Sequence, residues 1–330
     1  MLLSICIPNF NRAKSLNNCL NSILISKKNS NLDLEICISD NCSTENIDEI
    51  VEIYNKYLNI KFKKNSSNLG FGKNAINSVS IATGEFVWIL GNDDLLLPNT
   101  LSKLENLIKR NKSIDFFFIN SFNLNSKIVF DSTQPFNTNN LPKNMKKFSM
   151  INKDKIVSFF DLIDPQISFD FLLGIYLSIF RRKNWEENTY LIDQKAIEKK
   201  GLWSTFDNTC PHIKIFSRAF SKSKAYIHSE PLSINLNGER EWSDLYTFIE
   251  SIRIPEILDQ FFKKRLSKKK YLICKNFSLR NILPALIKII LNGDKAGLKY
   301  IKFIPHVFKN MIFPNFYYSP IRFILKKIIN

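Results

Sequence analysis

Two adjacent carboxylates, Asp93 and Asp94, end the apolar run Gly84-Glu85-Phe86-Val87-Trp88-Ile89-Leu90-Gly91-Asn92, and Leu95-Leu96-Leu97-Pro98 follows them. The run reads as a buried strand, so the acids sit on a turn just past its carboxyl end, where open α/β sheets bind ligands. Two aspartates there can hold a divalent cation, Mg2+ or Mn2+, which can neutralise a departing diphosphate. An isolated Asp-Asp pair reads more simply as a solvated turn. Three upstream segments shift the balance.

Pro8-Asn9-Phe10-Asn11-Arg12 closes the first apolar run; the proline turns the backbone outward, and the polar groups after it can bond a flat heterocycle or its ribose. Alone, this is equally a strand-to-helix turn with Asn11 as cap. Ser39-Asp40-Asn41-Cys42-Ser43-Thr44 closes the second run. A carboxylate at that place can accept the imide N–H of uracil or thymine, or can simply cap a turn. In Asn68-Leu69-Gly70-Phe71-Gly72-Lys73-Asn74 the glycines permit close backbone approach, and Lys73 stands where a helix N-terminus can meet phosphate. This is neither a Walker loop nor the dinucleotide G-x-G-x-x-G.

These segments need a scaffold, and the first 120 residues supply alternating strand and helix patterns. Strands are expected at 2–8, 34–39, 60–64, 86–90 and 114–119. Helices are expected after Asn11, over 46–58, after Gly72 and over 98–111. Such alternation implies a three-layer α/β sandwich with a mostly parallel central sheet. Residues 131–150, rich in Asn, Thr, Pro and Lys, read as a long surface loop or lid. A strand candidate at 171–180 ends in Arg181-Arg182-Lys183, and beyond 250 the chain turns basic and helical. The expected organisation is a nucleotide-sugar half at 1–120, an acceptor half at 121–250 and a basic amphipathic helical region at 251–330.

In order and spacing, the four motif segments resemble family 2 glycosyltransferases of the GT-A fold, with its Rossmann-like nucleotide-binding half. The Gly84–Asp94 line is similar to the branch that includes abequosyltransferases of O-antigen synthesis. The resemblance implies inverting transfer of a hexosyl or deoxyhexosyl group from a nucleotide-diphosphate donor to a hydroxyl of a growing bacterial surface glycan, such as lipopolysaccharide or capsule, on a lipid carrier. By it, Pro8, Phe10, Asn11, Arg12 and Asp40 hold base and ribose. Gly70, Lys73, Asn74, Asn92 and Asp93 lie along the donor, and Asp93 and Asp94 bind the metal. UDP- or dTDP-sugars stand ahead of CDP- and GDP-sugars. Gly91 or Asn92 occupies the place of the motif's first acid. The family's general base falls within a Glu-Asp pair about a hundred residues on. That pair is absent here, which leaves Asp207 and His212 as candidates and Asp170 as a distant third.

The net charge of +17 requires an anionic partner or reflects lysine-rich composition alone. From about 260 on, Lys and Arg interleave with Phe, Ile, Tyr and Leu, which suits an anionic membrane surface, or else a helical appendage packed on the core. No leader or spanning segment is evident, so the expected place is cytoplasmic, peripheral on the inner membrane face. Charge alone also suggests nucleic-acid binding, but no such motif is present and no specific nucleic acid is expected. A non-catalytic glycan- or nucleotide-binding relative is the other alternative. The cysteines at 6, 19, 37, 42, 210 and 274 lack C-x-x-C spacing and read as free thiols.

Overall fold

The Leu3–Asn9 run is covered on both faces and forms the central strand β1. The structure is a computed structural model that describes residues 2–199, 201, 203–238 and 242–329. After β1 come α1 (Ala13–Lys27), β2 (Leu34–Asp40), α2 (Ile47–Asn55), β3 (Ile60–Lys64), α3 (Gly70–Ser80) and β4 (Phe86–Ile89). β1 runs parallel to β2 and β4, and β2 to β3, with Asn9 in register beside Asp40. The polar ends of three apolar strands therefore meet on one edge of the sheet.

The chain continues through β5 (Asp94–Leu96), α4 (Thr100–Arg110), β6 (Phe116–Asn125), α5 (Ser126–Phe130), β7 (Lys146–Lys147), β8 (Lys155–Ser158) and β9 (Ser178–Arg181). Then follow α6 (Arg182–Glu186), α7 (Gln194–Ile197), α8 (Phe206–Thr209), α9 (Pro211–Ala219) and β10 (Lys224–Asn237). The strand order is β3-β2-β1-β4-β9-β6-β10-β5. The half that carries the motifs is parallel. In the other half β9 lies antiparallel between β4 and β6, and β5 pairs antiparallel with β10.

Each face of the sheet has its own core. On one, Leu16, Leu20 and Ile23 of α1 join Ile47 of α2 and Leu101 and Leu104 of α4. On the other, the Phe116 ring meets Phe159, Phe216 and Phe220 edge-on at 5.0, 5.1 and 5.2 Å. Aromatic edge contacts of this kind add to burial. A helical run follows: α10 (Tyr246–Phe248), a π-helical turn at Ile249–Arg253, α11 (Ile254–Phe262), α12 (Lys268–Ser278), α13 (Ile282–Asn292), α14 (Phe303–Asn310) and α15 (Pro314–Ile329). α11 packs into the sheet core through Phe261, whereas Phe248, Ile282, Leu286, Ile289, Phe313 and Phe316 make a separate core. No helix among the described residues is long and apolar enough to cross a membrane.

Three segments differ from the sequence-based expectation. Of 171–180, only Ser178 onward is strand, because the Asp170 carboxylate captures the Gly174 N–H and the Ser168 hydroxyl, while Phe171 and Leu172 take left-handed backbone. The long β10 lies in a stretch with no clear pattern. Residues 131–150 are largely irregular but anchored: Asn18 of α1 donates to Gln134 and accepts the Phe136 N–H, and Phe136 is buried. All six cysteines are free, and all but Cys42 are buried.

Candidate active site

The acid turn closes on itself. Gly91 N–H donates to Asp94 Oδ2 at 3.0 Å, and Asp94 N–H donates to Gly91 O at 3.0 Å. Asn235 of β10 donates to Asp94 Oδ1 at 2.8 Å. A Cβ at position 91 would stand 2.7 Å from Asp94 Oδ2 and 2.9 Å from Asp93 Oδ1, so a side chain there would displace the two carboxylates. Asn92, expected along the donor, is buried instead and donates to Asn9 Oδ1 at 2.7 Å. Asp94 is likewise buried, its oxygens bonded to the turn and to β10, so of the two expected metal ligands only Asp93 is partly exposed. Arg12 Nη1 holds Asp93 Oδ2 at 2.9 Å. Cys19 lies beneath; burial, then the charges of Asp94 and Asp93, pushes its thiol well up, so it stays protonated.

A lattice of asparagines ties the strand ends together. Asn74 Nδ2 donates to Asn9 O, and Asn74 Oδ1 accepts from Ser39 and Asn65. Asn41 donates to Asn68 Oδ1 and accepts from Leu69 N–H and Asn65. Asn77 donates to Asn65 Oδ1. Buried amides bonded on both ends fix their neighbours, because any one left unpaired would be costly. Asp40 belongs to this floor: it is fully buried and accepts from Asn9 Nδ2 (2.8 Å), Ser43 Oγ (2.5 Å) and Ser43 N–H (2.9 Å). It holds the second loop in place, and a base would reach it only if that cover moved. Asn74, expected near the diphosphate, is also part of the floor. Sequence reading quoted Asn9, Asn41 and Asn68 within the motif segments without giving them a role, and it passed over Asn65.

Above the floor stand the groups with solvent access: Pro8, Phe10, Asn11, Arg12, Gly70, Lys73 and Asp93. Asn11 does not cap α1. It adopts left-handed backbone (φ 44°) and accepts from the Thr44 N–H and hydroxyl, which clips the first loop to the second. Gly70 has φ +80° at the start of α3, a conformation that favours glycine. Lys73 donates to Gln194 at 2.8 Å and pairs with Glu198 at 3.2 Å, so it bridges α3 to the α7 region.

The close approach that the Gly70-Phe71-Gly72 run announces is to α8. A Cβ on Gly72 would meet Asp207 O at 2.9 Å and Asn208 Cα at 3.0 Å. This contact sets the Asp207 segment against the N-terminal turn of α3. A capping box, Thr205 with Asn208, starts α8, and Pro211 opens α9. Asp207 Oδ2 accepts from Lys214 Nζ at 2.6 Å, while its buried Oδ1 has no donor among the described residues. Burial raises its pKa, and Lys214 opposes the rise. His212 is not placed to act as a base. Its ring is buried, Nε2 faces Leu172 O at 3.0 Å, and burial pushes its pKa down to about 4. Asp170, raised by burial, has both oxygens engaged in its own turn.

No cluster of three or more His, Cys, Asp or Glu side chains suited to a metal occurs among the described residues. A cation shared with a diphosphate needs only one or two carboxylates, since phosphate and water complete its shell. The partly exposed Asp93 fits that requirement.

A mixed sheet with an acid turn at the carboxyl edge of its parallel half is the arrangement of the GT-A fold. Residues 4–163, just under half of the chain, match glycosyl transferase family 2. Abequosyltransferase RfbV of Salmonella typhimurium is 29% identical over 285 residues, which span 82% of this chain and 78% of that protein. S. aureus TarS 1–349 in complex with UDP-GlcNAc has a TM-score of 0.58 at 17% identity, over 92% of this chain and 77% of that one. The mannosyltransferase PcManGT from Pyrobaculum calidifontis, in complex with GDP-Man and Mn2+, has a TM-score of 0.54 at 11% identity, over 97% and 86%. The two structures share the fold.

Proposed function

We propose that the protein is an inverting, metal-assisted glycosyltransferase. It moves a hexosyl or deoxyhexosyl group from a nucleotide-diphosphate donor to a hydroxyl of a bacterial surface glycan carried on a lipid. The carrying observation is the convergence of the Asp93 turn, the Arg12 loop and the Asp207 segment on the start of α3. Phe10, Asn11 and Arg12 would meet base and ribose, and Asp40 would favour UDP- or dTDP-sugars once the Ser43 cover moves aside. Gly70 and Lys73 would flank the diphosphate. Asp93 would bind Mg2+ or Mn2+, exchanging Arg12 for the cation, which supplies neutralising charge to the departing diphosphate. The acceptor oxygen forms its bond to the anomeric carbon as the bond to the diphosphate oxygen breaks, and that oxygen keeps the electron pair. Asp207 Oδ1, buried without a donor, takes the acceptor's proton. The basic C-terminal helices would lie on an anionic inner membrane surface.

Thermal unfolding with UDP, dTDP, GDP and CDP, each with Mn2+ or with EDTA, tests this. One base should raise the midpoint by about 3–5 °C at a hundredfold excess over Kd, and only with Mn2+. No shift with any nucleotide would overturn the reading.

A further inference from the structure

A cavity of about 500 Å³ lies between the α8–α9 elbow, α11 and α14, and its lining includes Lys214, the partner of Asp207. Its lining is cationic. Asp259 serves both Lys275 (2.8 Å) and Lys309 (2.6 Å), and Glu256 serves Arg253 (2.6 Å). Lys263 and Lys302 line the same cavity and make no ion pair among the described residues. The Lys275 side chain is 1% exposed, and its ammonium gives two N–H groups to Asp259 and Pro255 O, which leaves a third unassigned. A concave surface with surplus ammonium groups concentrates anions, and a buried ammonium bonds a phosphate oxygen more strongly than an exposed one.

α14 shows which kind of anion fits. Lys302, His306 and Lys309 face the cavity, whereas Ile304 and Phe308, 72% and 70% exposed, form the outer side and continue into Ile312. One helix therefore borders a cationic cavity and an uncovered apolar surface. A free phosphate would use only the first, and an amphiphilic phosphate uses both. We infer that this cavity seats the phosphate groups of the acceptor, a lipid-borne diphosphate whose chain runs along the apolar side of α14. The inference rests on the glycosyl-transfer reading and names the acceptor end of the same site. Lys214 joins the two ends, because an anion in the cavity competes with Asp207 for its ammonium.

The test uses the full chain in EDTA with farnesyl diphosphate as probe. Titration calorimetry should show it binding more tightly than inorganic pyrophosphate, with affinity at least tenfold lower in Lys263→Glu/Lys302→Glu. The milder Lys263→Gln/Lys302→Gln should show a smaller loss in the same direction, and both variants should keep the nucleotide-dependent thermal shift. Equal affinity in wild type and both variants overturns the assignment. Displacement of farnesyl diphosphate by phosphatidylglycerol vesicles would assign the cavity to bulk headgroups and overturn it too. If no nucleotide stabilises the protein yet farnesyl diphosphate binds through Lys263 and Lys302, the transferase reading fails while the diphosphate cavity stands.

Discussion

Asp93 and Asp94 are neighbours in sequence with different work. Asp94 closes the turn through Gly91 and Asn235, and Asp93 faces outward against Arg12. Asp93→Asn should therefore abolish the Mn2+-dependent part of the nucleotide shift while the fold stays intact, whereas Asp94→Asn should also lose about 1–3 kcal/mol of stability from the unpaired turn. Asp207→Asn should lower kcat a hundredfold or more and leave nucleotide binding unchanged. Steady-state rates beside urea titrations separate these outcomes, and full activity in Asp207→Asn would dismiss it as the base. The acids were legible because they interrupt an apolar run. The difference between them was not, since it depends on Asn235, more than a hundred residues away in a strand without an apolar signature.

At the scale of elements, α3 joins the strand ends, through Asn74, to the Asp207 segment, through Gly72. Gly72→Ala would place a methyl group 2.9 Å from the Asp207 carbonyl, where backbone must yield. The expected loss is about 1–3 kcal/mol, as for other overpacked contacts, with a larger fall in kcat than in nucleotide affinity. Equal falls in both would mean that α8 is not what Gly72 positions. Apart from the short β5, the strands and helices up to β6 were legible because β1, β2, β4 and β6 are mostly apolar runs between turn residues, and β3 alternates Ile60 and Phe62 with lysine. β10 was not: Lys224, His228, Ser229, Glu230 and Asn235 dilute its apolar positions, and its register against β6 shifts between His228 and Ser233. The apolar stretch before β9 misled for the opposite reason, because a side-chain carboxylate redirects its backbone.

For the whole molecule, most large hydrophobic side chains left exposed lie between 272 and 328. Leu291, Ile312 and Ile328, each at least 74% exposed, contribute nothing to a core. Changing all three to Glu should reduce co-sedimentation with phosphatidylglycerol vesicles at least tenfold without altering the melting midpoint; unchanged sedimentation would count against membrane docking. Truncation before α11 is a poor substitute, because Phe261 belongs to the sheet core. Acid should act elsewhere. Burial depresses His212 from 6.5 to about 4, so the unfolded chain takes its proton first. Stability is full above about 6.5 and falls by about 3 kcal/mol as pH drops towards 4. Burial alone would raise Glu35, but Lys61, Ser4 and Thr83 hold it down at about 2. Its contribution, on the order of 1–3 kcal/mol after screening at the half-exposed Lys61, is lost from about pH 4.5 downward. Urea midpoints from pH 7 to 3 should fall in these two windows, and His212→Gln should flatten the first. An unchanged slope in that variant would reject the assignment.

Carboxamides neither gain nor lose protons over that range. The asparagine lattice beneath the proposed nucleotide crevice thus keeps its bonding pattern while ionic clasps at the other end of the sheet, such as Glu35 with Lys61, let go. The carboxamide part of that floor is insulated from acidity, and Asp40 is the one carboxylate built into it.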